Sequence, residues 1–182
     1  MLEYGCYTQE LRSHLPDGVL YWGIDNREWV NTVHVQDLEH PEPFHVKADV
    51  IFCLETLEHL KEPWRLLEVM REGLVEGGCI VISLPNEATW FHRLRALGGL
   101  LDPQAWQPDK HVHLSNVRQA TAFLERHLHI LEVVPYINCS ARGSTHAWLG
   151  RWMGLVPEWV WEWLARVDPD GWARGTIYLC RL

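Results

Sequence analysis

The chain has 182 residues, 47% of them hydrophobic and 22% charged, with a net charge of −8. That length suits a single domain over residues 1–182 with a substantial core, and the balance is globular, not disordered. The acidic surplus excludes a general nucleic-acid binder, which needs a basic face to neutralise phosphates.

Residues 1–4 read as a stub of strand before Gly5-Cys6-Tyr7-Thr8, and 9–15 as a short helix stopped by Pro16-Asp17-Gly18. Apolar residues 19–24 form a strand ending at Asp25, and 32–35 a brief one ending near Asp37. Two prolines break 39–47 into loop. Asp49 through Leu54 is too short for a helix and rich in strand formers. After a polar crossing, Pro63 is placed to start a helix whose Leu66, Leu67, Met70 and Leu74 recur at helical spacing. Gly77-Gly78 is expected to stop it, and Cys79 through Leu84 to form a second buried strand closed by Pro85-Asn86. Residues 87–97 and 116–127 read as helices, 102–110 as loop and 130–134 as a strand. A Trp-rich helical stretch over 146–166 and a last strand over 176–180 complete the chain.

Strand, helix, strand with both strands apolar throughout is a βαβ unit of a parallel sheet covered on both faces. Within it, Leu57-Glu58-His59 after the fourth strand, then Pro63, then Gly77-Gly78 through Pro85-Asn86, carry a family resemblance. The segment resembles the middle of class I S-adenosylmethionine-dependent methyltransferases, in the small-molecule branch whose fourth-strand signature ends in L-x-H. The resemblance implies an α/β, Rossmann-like sheet of seven strands, mostly parallel, its last strand antiparallel beside the fifth, with helices on both faces. It implies S-adenosylmethionine as cofactor and methyl transfer to a small-molecule acceptor as the reaction.

Ligands in such sheets sit beyond the carboxyl ends of the strands where the strand order reverses. The family's first strand ends in an acid and a G-x-G-x-G loop; here Glu3 and Gly5 match, Cys6 follows, and Tyr7 and Gln9 replace the other glycines. Either the Tyr7 side chain fills space used by the methionine half of the cofactor, or the loop bends differently. Asp25, 20 residues beyond Gly5, resembles the acid that accepts both ribose hydroxyls, and Asp37-Leu38 the pair beside the adenine. Leu54 and Glu55, at the end of the fourth strand, complete the implied cofactor set. Family members generally carry residues before the first strand that help cover the cofactor. This chain starts inside that strand, so an open pocket, a lid from elsewhere or a start that omits the original terminus is expected.

On the acceptor side the candidates are His59, His111 and His113, with Asn86 expected to converge on them and Glu55 and Glu58 able to contact cofactor or substrate. Methyl transfer depends on alignment, and a base is needed only if the acceptor must lose a proton. His111 and His113 alternate and invite a metal reading, but no third ligand has matching spacing, so no metal is expected. Of the eleven tryptophans, Trp159 and Trp163 share a helical face. Core packing is expected for most of them; an apolar acceptor pocket, a homodimer face or a partner-protein contact are the sharper readings.

Five cysteines without a C-x-x-C pair, and no basic leader followed by an apolar run, point to a reducing, cytoplasmic setting. No apolar stretch reaches the length of a transmembrane helix. The runner-up function is a catalytically silent methyltransferase-like domain serving in binding or assembly, favoured by Tyr7 and Gln9. A nicotinamide dehydrogenase is weaker still, since its loop needs glycine where Tyr7 and Glu10 stand.

Overall fold

In the computed structural model, which describes residues 1–99, 111–137 and 157–182, seven strands form one sheet in the order β3-β2-β1-β4-β5-β7-β6. They are β1 (Leu2–Tyr4), β2 (Trp22–Asp25), β3 (Val33–Val35), β4 (Ala48–Leu54), β5 (Leu74–Pro85), β6 (His129–Tyr136) and β7 (Gly175–Arg181). The first five run parallel, and β7 lies antiparallel between β5 and β6. The expected architecture is therefore present, with the order reversing between β1 and β4.

Helix α1 (Pro63–Gly73) begins at the proline, whose missing amide would have had no partner in the first turn. It buries Leu66, Leu67 and Met70 completely. Together with Leu2, Tyr4, Ile24, Ile51, Ile80 and Ile82 from the central strands they form the main core. Helix α2 (Trp90–Leu97) is capped by the Thr89 side chain and α3 (Val117–Leu124) by an Asn116/Gln119 capping box. Helix α4 (Glu158–Val167) and the single turn α5 (Pro169–Trp172) lead into β7.

Three expectations change. The first helix stops at Gly73, not Gly77-Gly78, and β5 begins at once with Leu74. Glycine is a poor helix residue, and Leu74 gains burial as an extended residue paired with Ala48. The register then shifts before Val50 pairs with Cys79, and residues 75–78, with Gly77 at φ 76°, take up the difference. Second, Trp159 and Trp163 are not core: they are 69% and 55% exposed, because the buried stripe of α4 runs through Ala165 instead. Third, Cys79 is only partly buried, while Cys53 is fully buried as expected. The readings over 102–110 and 146–156 lie outside the described residues.

Candidate functional site

Parallel pairing of Tyr4 with Ile24 and Cys53, and of Leu54 with Ser83, brings the ends of β1, β2, β4 and β5 to one edge of the sheet. Two groups of side chains assemble there.

The first group surrounds the loop after β1. The backbone is left-handed at Gly5 (φ 74°), Tyr7 (φ 42°) and Gln9 (φ 59°). These are the three positions where the resembling family has glycine, so the loop keeps the bend without two of the residues that adopt it freely. Side-chain contacts hold it instead. Gln9 is buried, and its Oε1 accepts from Thr32 Oγ1 at 2.8 Å and from Arg12 at 3.3 Å. The Tyr7 amide donates to Asp25 Oδ2 at 2.9 Å. The Tyr7 ring is 53% exposed and packs edge-on against Trp29 at 4.5 Å, so it turns outward and does not fill the loop.

Asp25 is buried, and its second oxygen accepts from the Trp29 indole at 3.1 Å. Buried Glu3 accepts from the Tyr21 hydroxyl, and burial pushes its carboxyl above the ordinary range. Cys6 is buried, and burial pushes its thiol up to about 12. Leu38 joins the main core, whereas exposed Asp37 accepts from the Glu39 amide and meets His40. Its bond with His40 holds the Asp37 carboxyl below the usual value. Leu54 is half-buried at the end of β4. Glu55 follows at φ 48°, its amide donating to the Ser83 hydroxyl and its Oε1 accepting from Ser83 at 2.7 Å and Tyr136 at 3.2 Å.

The second group lies beside β4. The amides of Val112 and His113 both donate to the Glu58 carbonyl, at 2.7 and 3.1 Å, which clamps 111–113 onto the turn Leu57–His59. His59 and His111 thereby meet edge-to-face at 4.9 Å. Glu58 Oε1 lies 3.9 Å from Nε2 of each. His111 Nδ1 stands 2.7 Å from Glu87 Oε1, a carboxylate that fixes the ring proton on Nδ1 and raises the histidine's pKa. Glu58 is only 3% exposed, and neither of its oxygens has a hydrogen-bond donor among the described residues. Burial pushes its carboxyl up to about 8, helped by the nearby charge of Glu55.

Two of the three candidate histidines are thus together. His113 turns its Nε2 to the Lys61 carbonyl at 3.3 Å. Asn86, expected beside them, instead donates to the carbonyls of Pro169, Asp170 and Ala173, tying the end of β5 to α5. Sequence reading gave Glu87 no role, though an acid just past the end of β5 was its available signal. An open depression of about 460 Å³ lined by His40, Pro41, Pro43, Arg65 and Glu72 includes none of the candidate site residues and touches the first group only through His40, the partner of Asp37.

Sheet order, the left-handed loop and the acid closing β2 define a cofactor-binding Rossmann-like domain of the methyltransferase type. The family model described as "Methyltransferase domain" matches residues 1–129. The chain belongs to that family, whose cofactor is S-adenosylmethionine. No curated protein matches it. Among solved structures it is similar to an S-adenosylmethionine-dependent methyltransferase of Archaeoglobus fulgidus (15% identity, TM-score 0.62, 100% of this chain and 85% of that one). It is also similar to one from Mesorhizobium loti (14%, TM-score 0.61, 100% and 89%). A third is the complex of the Haloferax volcanii Trm112 methyltransferase activator with a putative methyltransferase (16%, TM-score 0.60, 99% and 80%). At these identities the likeness establishes the fold.

The residues at the first strand end fit the cofactor. The loop has the required backbone bend, its one bulky side chain points outward, and each Asp25 oxygen keeps a lone pair beyond the bond it already accepts.

Proposed function

We propose that this chain is an active S-adenosylmethionine-dependent methyltransferase for a small-molecule acceptor. The observation that carries the reading is the left-handed backbone at residues 5, 7 and 9 pinned to the acid at the end of β2. Two non-glycine residues held in a conformation costing about 1–2 kcal/mol each support a loop shaped for a ligand.

The 5–9 loop would cradle the methionine half, with Glu3 and Glu55 beside it. Asp25 would accept the ribose hydroxyls, and Asp37 with Leu38 would lie at the adenine. When bound, S-adenosylmethionine supplies an electrophilic sulfonium methyl. The protein's part is to place the acceptor in line and keep water out. His59 and His111 border the acceptor side. The segment 111–113, clamped on Glu58, keeps those side chains in place. Because Glu87 holds the His111 proton on Nδ1, Nε2 presents an electron pair toward the crevice. The net charge of −8 supports a small acceptor over a nucleic acid.

A silent binding domain is the second reading, and the Trp29 indole favours it, since it already donates to the carboxylate that ribose would use. Calorimetric titration with S-adenosylhomocysteine separates the two. Binding by the wild type, weakened about 10- to 150-fold in Asp25→Ala, is expected for a lost charged hydrogen bond of about 1.5–3 kcal/mol. No binding by the folded wild type would leave only the silent domain.

A further inference from the structure

The Glu58–His59–His111 cluster is more than an acceptor wall. One ligand atom from each lies within 4.8 Å of the other two. The set is two imidazoles and a carboxylate, from the turn after β4 and from a segment clamped to that turn by two backbone hydrogen bonds. Glu58 shows that something is wanted there. Its side chain is 2% exposed, it faces both histidine Nε2 atoms at 3.9 Å, and neither oxygen accepts a hydrogen bond from any described residue. A buried carboxyl without a donor is costly, and a cation is one partner that removes the cost.

Glu87 adds an independent feature. Its carboxylate accepts the hydrogen bond of His111 Nδ1–H at 2.7 Å and leaves Nε2 facing Glu58. A histidine whose other ring nitrogen donates to a carboxylate is the usual support for a metal ligand.

We propose that Glu58, His59 and His111 bind one borderline divalent cation of the zinc type, through Glu58 oxygen and the two imidazoles. The inference rests on the reading of this edge as the acceptor side only for its role, not for the site itself. Ligand atoms around tetrahedral zinc lie roughly 3.4 Å apart, against a spacing of up to 4.8 Å between these three before an ion draws them in. Three protein ligands leave a fourth position open. His59 and His111 are 40% and 27% exposed, so that position is reached from solvent, and an acceptor bearing an oxygen or nitrogen donor fits it. The sequence pattern hid this site because two of its ligands, Glu58 and His59, lie far in sequence from His111, and His113 is not among them.

The test is titration of the chelator-treated full chain with zinc chloride by calorimetry, and with cobalt chloride by visible absorption, both without cofactor. One ion per chain is expected, with tetrahedral cobalt bands. Affinity should fall at least tenfold in Glu58→Gln and in His111→Ala, and stay unchanged in His129→Ala, an exposed histidine on β6. His111 is only partly buried, so His111→Ala stays informative should the Glu58 variant fold poorly. No stoichiometric uptake by folded wild type, or uptake that His111→Ala leaves intact, overturns the site. S-adenosylhomocysteine binding measured in parallel separates the two readings: retained cofactor binding without metal uptake sinks only the metal site. Metal uptake without cofactor binding sinks only the methyltransferase.

Discussion

Tyr7 and Asp25 are joined across two strand ends, the amide of one donating to the carboxylate of the other at 2.9 Å. The bond is a link between loop shape and ligand chemistry. The carboxylate that would hold ribose is also the anchor that keeps a tyrosine backbone in a conformation it rarely adopts. Changes at either end should therefore be felt at the other.

Gly5 tests the bend itself. A Cβ there would overlap the Thr56 side chain, and φ 74° is unfavourable for alanine. Gly5→Ala should lower stability by about 3 kcal/mol, combining left-handed strain with overpacking. Urea unfolding reads the loss, and cofactor-product binding should disappear with it. A variant of wild-type stability would mean that the loop relaxes more readily than its contacts suggest.

Trp29 tests whether Asp25 is guarded. Trp29→Phe keeps a ring beside Tyr7 and removes the indole donor from Asp25. If ribose must displace that donor, S-adenosylhomocysteine should bind roughly 3- to 10-fold more tightly, a gain of about 1 kcal/mol. Weaker binding would show that the indole supports the site and does not compete for it.

How much of this was legible can be judged residue by residue. The β4–α1–β5 unit declared itself because apolar strands, Pro63 and the strand-closing Pro85-Asn86 all act locally. Where the helix ended was a tertiary matter: Leu74 extends because pairing with Ala48 buries it. The direction of the Tyr7 side chain was hidden for the same reason. Asp25 on the Tyr7 amide and Thr32 on the Gln9 side chain hold the left-handed loop, and both are remote in sequence. His59 and His111 stood out by type, but the orphaned state of Glu58 depends on which groups fail to reach it.

Asn86 should matter to stability and not to cofactor affinity. Its Nδ2 serves three carbonyls of residues 169–173, which Asn86→Ala would leave without that donor. A loss of about 1–3 kcal/mol in urea unfolding is expected, with S-adenosylhomocysteine affinity within about twofold of wild type. A large fall in affinity at unchanged stability would return Asn86 to the site.

Alkaline pH should destabilise the fold through its buried thiols and phenols. Burial pushes Cys180 from 9.0 up to about 12, and Tyr4 from 10.0 up to about 12. Between those values the folded chain keeps protons that the unfolded chain releases. The contribution of these groups is therefore flat below about pH 9 and falls as pH rises, by about 1.4 kcal/mol per pH unit for each of them. Urea midpoints at about pH 8 and about pH 10.5 measure the slope, and Cys180→Ala should flatten it by about one proton. Equal slopes in the variant and wild type would remove Cys180 from the account.

The position of β7 bears on how the chain reaches its shape. Among the described strands β6 pairs with β7 alone, and β7, the last of the seven in chain order, is seated between β5 and β6. While the chain is being made, β5 and β6 both wait with unsatisfied backbone edges until β7 emerges to separate them. Two such edges present together can pair wrongly with each other or with a neighbouring nascent chain. Delayed insertion of a single strand is thus the vulnerable moment of folding, and slow, chaperone-sensitive acquisition of the native state is its expected signature.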